Sequence, residues 1–254
     1  MKRNVSVEDI SDGRSYRPDD LVKIGTNGCA GCSDCCRMDA LIVLDPHDIY
    51  DLQKATGQGL EGLLGRTVRL EVIDGLIQPV LNMADGVCPY LGADGRCGIH
   101  PFRPGICRLY PLGRSWEDGD FSYILQVGEC THCTGSKVKV RKWLGIPNLA
   151  AYEDYCRKWH AFLKKAQQVC DLGEAEEAGD RRPAGAQAAS AADRGGSGAM
   201  GIKARAAAGK GIRHLVCMLI LEKCYMAGFD TDKDFYDQFG AQLKAACGSM
   251  GFMI

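Results

Sequence analysis

The sequence predicts an α+β fold, on three observations. Two β-rich runs, residues 67–73 and 76–83, flank Asp74-Gly75, a dipeptide that marks a two-residue hairpin. From residue 149 to 170, Leu149, Tyr152, Cys156, Trp159, Leu163, Ala166 and Cys170 recur at steps of three and four, which is one face of a helix. Nine of the 14 cysteines fall between Cys29 and Cys133, and the stretch 88–113 carries Pro89, Pro101, Pro104 and Pro111, so it must be mostly loop and turn. The expected architecture is a small irregular cysteine-rich domain with a β-hairpin and flanking helices, followed by a C-terminal helical hairpin.

In chain order, residues 1–27 read as an irregular lead-in. The apolar run 41–44 reads as a short strand. Asp45-Pro46 is a helix start, with a capping side chain and proline at the first helical position. That helix should run over 47–64 with an interruption near Gly57 and Gly59, and His47, just past the cap, should be exposed. Residues 121–127 read as another strand. From residue 171 to 211 the composition turns to Ala, Gly and Arg with almost no large apolar side chains, which predicts a flexible linker. Helices are expected over 212–227 and 232–247, the second capped by Asp230 or Thr231. The units are therefore 28–170, a linker 171–211, and a helical hairpin 212–254 that either packs back on the domain or binds a protein partner.

The formal net charge is -1, which gives no pull toward nucleic acid or anionic membrane. Residues 180–213 hold seven Lys/Arg against two Asp but no interleaved aromatics, so they read as solvated linker rather than a nucleic-acid surface. No stretch approaches the length of a membrane span. Met1 to Ile10 lacks the apolar core of a signal peptide, so a cytoplasmic location is expected. Thiols stay reduced there, and clustered cysteines read as metal ligands or redox groups rather than disulfides.

The cysteines come in three pieces: Cys29-x2-Cys32-x2-Cys35-Cys36; Cys88-Pro89-Tyr90-Leu91 with Cys97-Gly98-Ile99-His100 and Arg103-Pro104-x2-Cys107-Arg108; and Cys130-x2-Cys133. A Cys-x2-Cys turn lets two sulfurs converge on one ion, and both zinc and a four-iron cluster take four thiolates. Neighbouring side chains on extended backbone point to opposite faces, so Cys35 and Cys36 should serve two sites, or one should ligate while the other packs. Four thiolates leave excess negative charge on either centre. Arg96, Arg103, Arg108 and Arg114 lie in or beside the second piece, where Arg103 and Arg108 above all could neutralise it and donate hydrogen bonds to sulfur.

The order CxxCxxCC, CPYL, C-G-I-x-x-x-R-P-x-x-C-R-x-x-P and a late cysteine resembles the YkgJ-like cysteine-cluster family, whose domain is described as zinc- or iron-chelating. The resemblance covers roughly residues 28–133. It places Cys29, Cys32, Cys35, Cys36, Cys88, Cys97, Cys107 and Cys130 on the motif, with Cys133 beside it and His100 where relatives often carry tyrosine. A distant similarity to flagellin lysine methylase implies an iron–sulfur cluster used with S-adenosylmethionine, although the glycine fingerprint that would bind that cofactor is absent. The resulting expectation is an iron–sulfur protein, 4Fe-4S, with a redox or methyl-transfer role. The alternatives are a zinc-binding structural or interaction module, or a metal-handling protein, without catalysis. Elsewhere, His132 reads as a turn residue more than a ligand. Cys156 and Cys170 read as core, and His214, Cys217 and Cys224 as a packing face rather than a second metal site.

Overall fold

A computed structural model describes residues 7–24, 32–38, 40–130, 135–180 and 211–252. A short helix α1 (Val7–Ile10) and strand β1 (Leu21–Val22) precede the first cysteine piece. Helix α2 (Pro46–Thr56) begins where the Asp45-Pro46 signal places it. The Asp45 carboxylate accepts from the Asp48 amide at 2.9 Å, and the Asp48 carboxylate accepts from the Asp45 amide at 3.0 Å, a reciprocal cap. Gly57, at φ 71°, ends it, and one further turn, α3 (Leu60–Leu63), follows.

Strands β2 (Val68–Ile73) and β3 (Leu76–Leu81) form the expected antiparallel hairpin, with Ile73 opposite Leu76. Its turn needs positive φ at both central residues, and Asp74 and Gly75 supply 49° and 81°. The segment expected as a strand at 41–44 adds only a bridge, Val43 to Val80, on the other edge of β3.

Helix α4 (Gly105–Leu109) leads into a second hairpin, β4 (Leu112–Glu117) and β5 (Asp120–Leu125). Strand β4 had no alternating pattern to reveal it; it is held by its partner. Strand β6 (Val138–Lys139) pairs with β1 and runs into α5 (Val140–Leu144).

Helix α6 (Leu149–Asp180) buries the predicted stripe, with Tyr152, Cys156, Trp159, Ala166 and Cys170 all enclosed. It continues ten residues past the end that composition suggests. The rest of the expected linker, 181–210, lies outside the described residues. Helix α7 (Ile212–Ile220) continues as a π-helical segment (Leu221–Met226), and α8 (Phe235–Met250) is capped by Asp234, not by Asp230 or Thr231.

The C-terminal helices pack back on the domain. The Tyr225 hydroxyl donates to the Leu44 carbonyl at 3.1 Å, the Tyr50 hydroxyl to the Lys233 carbonyl at 3.1 Å, and the Gln53 amide to the Phe229 carbonyl at 2.9 Å. Residues from both halves share one hydrophobic core. Cys217 and Cys224 are buried in it while His214 is exposed, so these three do not converge. Among the described residues no helix is long and apolar enough to cross a membrane.

Candidate metal centre

Three local structures bring the cysteines together. The first piece ends in a 3-10 turn (Asp34–Cys36) preceded by Ser33 in the left-handed region at φ 61°. This turn overturns the opposite-faces expectation for Cys35 and Cys36. The backbone is coiled rather than extended, and the two sulfurs stand 4.0 Å apart. The Cys88 amide then donates to the Cys36 carbonyl at 2.8 Å, which fixes the CPYL segment beside the first piece.

The chain between Cys88 and Cys97 doubles back. The Gly92 amide donates to the Arg96 carbonyl at 2.7 Å and the Gly98 amide to the Tyr90 carbonyl at 2.8 Å, so Leu91 faces Cys97. The Tyr90 hydroxyl anchors this loop by donating to Thr67 Oγ1 at 3.0 Å. Pro104 then starts α4, which carries Cys107. The Tyr110 hydroxyl at the end of α4 donates to the Glu129 carbonyl, tying the segment that bears Cys130 to the same helix.

Cys32, Cys35, Cys36, Cys88, Cys97, Cys107 and Cys130 are all half-buried free thiols, whereas Cys156, Cys170, Cys217, Cys224 and Cys247 are buried ones. Cys29, His132 and Cys133 lie outside the described residues.

The electrostatics show which thiols sense one another. Cys36 shares hydrogen bonds with Cys35 and Cys88, which drives its own proton affinity far up and lowers each of the other two to about 7. Burial raises Cys97, and the charges of Cys88 and Cys35 raise it further. Burial also pushes Cys107 up, with additions from Asp48, Cys88, Cys35 and Cys97. Five thiols therefore crowd one neighbourhood in which every thiolate opposes the next. A bound cation is what relieves such crowding, and the soft donor set suits zinc, iron or an iron–sulfur cluster. Among the described residues no three Cys, His, Asp or Glu side chains stand close enough to close a metal site as placed.

The arginines divide. Arg103 lies near enough to Cys97 to favour its thiolate, and its guanidinium also reaches the exposed His100 ring. Arg108 is turned to Asp51, 3.7 Å away, and to the Pro101 carbonyl. Arg114 stacks between Phe121 and Tyr152 and donates to the Tyr152 hydroxyl at 3.2 Å.

Two residues that sequence reasoning passed over support the site. Asp48, buried to 3% exposure, accepts from the Gly105 amide at 2.7 Å while completing the α2 cap, so one carboxylate clamps the start of the Cys107 helix. The signal was legible as a carboxylate three residues after an N-cap, but its second partner lies 57 residues on. Gly105 is the other. A Cβ there would stand 2.1 Å from the Tyr152 hydroxyl, which is held by Arg114. Gly105→Ala should destabilise the protein by about 1–3 kcal/mol through overpacking and lower metal retention by displacing α4, measurable by thermal unfolding and elemental analysis.

No curated protein and no solved structure matches the chain. Residues 28–130, the segment that gathers these thiols, match the family model CxxCxxCC, "Putative zinc- or iron-chelating domain".

Proposed function

We propose that the domain holds a four-iron, four-sulfur cluster and serves in electron transfer. One observation supports this reading: the described residues alone gather five cysteines, Cys35, Cys36, Cys88, Cys97 and Cys107, into one electrostatic neighbourhood, enough to supply the four thiolates that a cluster takes. Cys32 and Cys130, with Cys29 and Cys133 beyond the described residues, extend the ligand pool. A bound cluster would supply one-electron chemistry. The chain's own part is to hold thiolates in a half-buried loop, to restrain Cys107 through Asp48 and Gly105, and to place the Arg103 charge near Cys97. Methyl transfer rests on the sequence resemblance alone, as does a role for S-adenosylmethionine.

The test is anaerobic purification with an absorbance spectrum and iron, sulfide and zinc analysis. Thiolate-to-iron absorbance in the visible with iron and sulfide in equal amounts supports the cluster. A colourless protein with stoichiometric zinc overturns it and leaves a zinc-stabilised structural or interaction module.

A further inference from the structure

A cleft adjoins the cysteine loop. One residue beyond Cys107, and so about 100° further round α4, Arg108 lines a cleft of about 350 Å³ shared by α2, α4, the turn before α6, and α8. That volume is at the small end of ligand pockets. The polar lining is unusual for its burial. His47 Nδ1 stands 3.6 Å from Asp51 Oδ2, and an Arg108 terminal nitrogen 3.7 Å from the same oxygen, with the three side chains only 17%, 14% and 15% exposed. Both gaps exceed a hydrogen bond, so Asp51 is ion-paired with Arg108 and faces the His47 ring without accepting a hydrogen bond from either. Arg108 has five N–H donors; it donates to the Pro101 carbonyl and is ion-paired, not hydrogen-bonded, to Asp51. Aromatic rings close the walls: Tyr152 and Tyr236 lie 5.4 and 5.9 Å from the His47 ring. Phe102 adds apolar surface.

Adjacent opposite charges in a half-buried cleft select their mirror image. A simple carboxylic acid would meet Arg108 but be repelled by Asp51; a simple amine would meet Asp51 but be repelled by Arg108. An α-amino acid places its carboxylate and ammonium one carbon apart and answers both, leaving its side chain to the aromatic wall. We propose that this cleft binds a free α-amino acid with an apolar or aromatic side chain, its carboxylate on Arg108 and its ammonium on Asp51 and the tyrosine faces. Burial raises the Asp51 carboxyl above its ordinary range, a cost that a bound ammonium relieves. The assignment goes beyond the cluster reading and stands whichever metal the thiols hold.

The test is thermal unfolding of the full chain, as isolated, with L-leucine or L-phenylalanine, and with 3-phenylpropionate and phenethylamine as single-pole analogues. An amino acid at a hundred times its Kd should raise Tm by about 5–10 °C. The single-pole compounds should do far less, and Asp51→Asn and Arg108→Gln should abolish the shift at unchanged metal content. Metal analysis separates this outcome from failure of the cluster. If Arg108→Gln loses metal or fold, Asp51→Asn alone decides. Absence of a shift with either amino acid, equal shifts with a single-pole analogue, or a shift retained in Asp51→Asn overturns the proposal.

Discussion

Cys107→Ser should strip most of the metal from the protein, by more than the roughly 10–100-fold loss of affinity that follows removal of an outer partner of a metal ligand. Cys107 is the thiol that feels most of the others, through Cys88, Cys35 and Cys97, and burial makes it hard to ionise without a cation. Serine keeps the volume but offers a hydroxyl that does not deprotonate near neutral pH. Because metal binding to such a site is also folding energy, on the order of 10 kcal/mol for structural zinc, the region 28–130 should loosen with it. Elemental analysis and circular dichroism check both effects. Cys156→Ser is the control. Cys156 lies buried on α6 near Arg114 and Tyr152, so its loss should leave the metal and cost only about 1–2 kcal/mol. Full metal content in Cys107→Ser would remove it from the ligand set.

Asp48→Ala should be the most damaging change outside the cysteines, costing about 2–5 kcal/mol. Two backbone amides, those of Asp45 and Gly105, donate to this carboxylate, and alanine would leave both without their acceptor in a buried place. Burial also holds the Asp48 carboxyl well above the usual range, so the group is costly to keep charged and is retained for its acceptors. Asp48→Asn keeps one acceptor oxygen and should lose less. Chemical unfolding gives the stability. Metal content then tells whether the Asp48–Gly105 clamp positions Cys107: a variant that unfolds earlier but retains its metal would make Asp48 a purely structural residue.

The sequence by itself determined the elements whose cause is local. The Asp74-Gly75 turn was legible because positive φ at both positions admits few residues, and the α2 start because Asp45 and Pro46 act within one helical turn. The α6 stripe was legible because a periodic apolar face has to be buried, although its end at Asp180 was not, since a helix continues wherever nothing terminates it. The candidate ligands were readable as a list, because soft metal centres favour thiolates and the spacing clusters the cysteines. Only the tertiary structure decided how that list is arranged. Whether Cys35 and Cys36 face together depends on a 3-10 turn held by a hydrogen bond from Cys88, 52 residues beyond Cys36. His47 was expected to be exposed, yet α8 and α6 enclose it in aromatic rings. Arg108 stands beside Cys107 in sequence but turns to Asp51, because adjacent residues on a helix point in different directions. Local sequence carries the dihedral preferences and the donor chemistry. Distances between side chains far apart in the chain come from packing, where each position is set by partners that no short window of sequence contains.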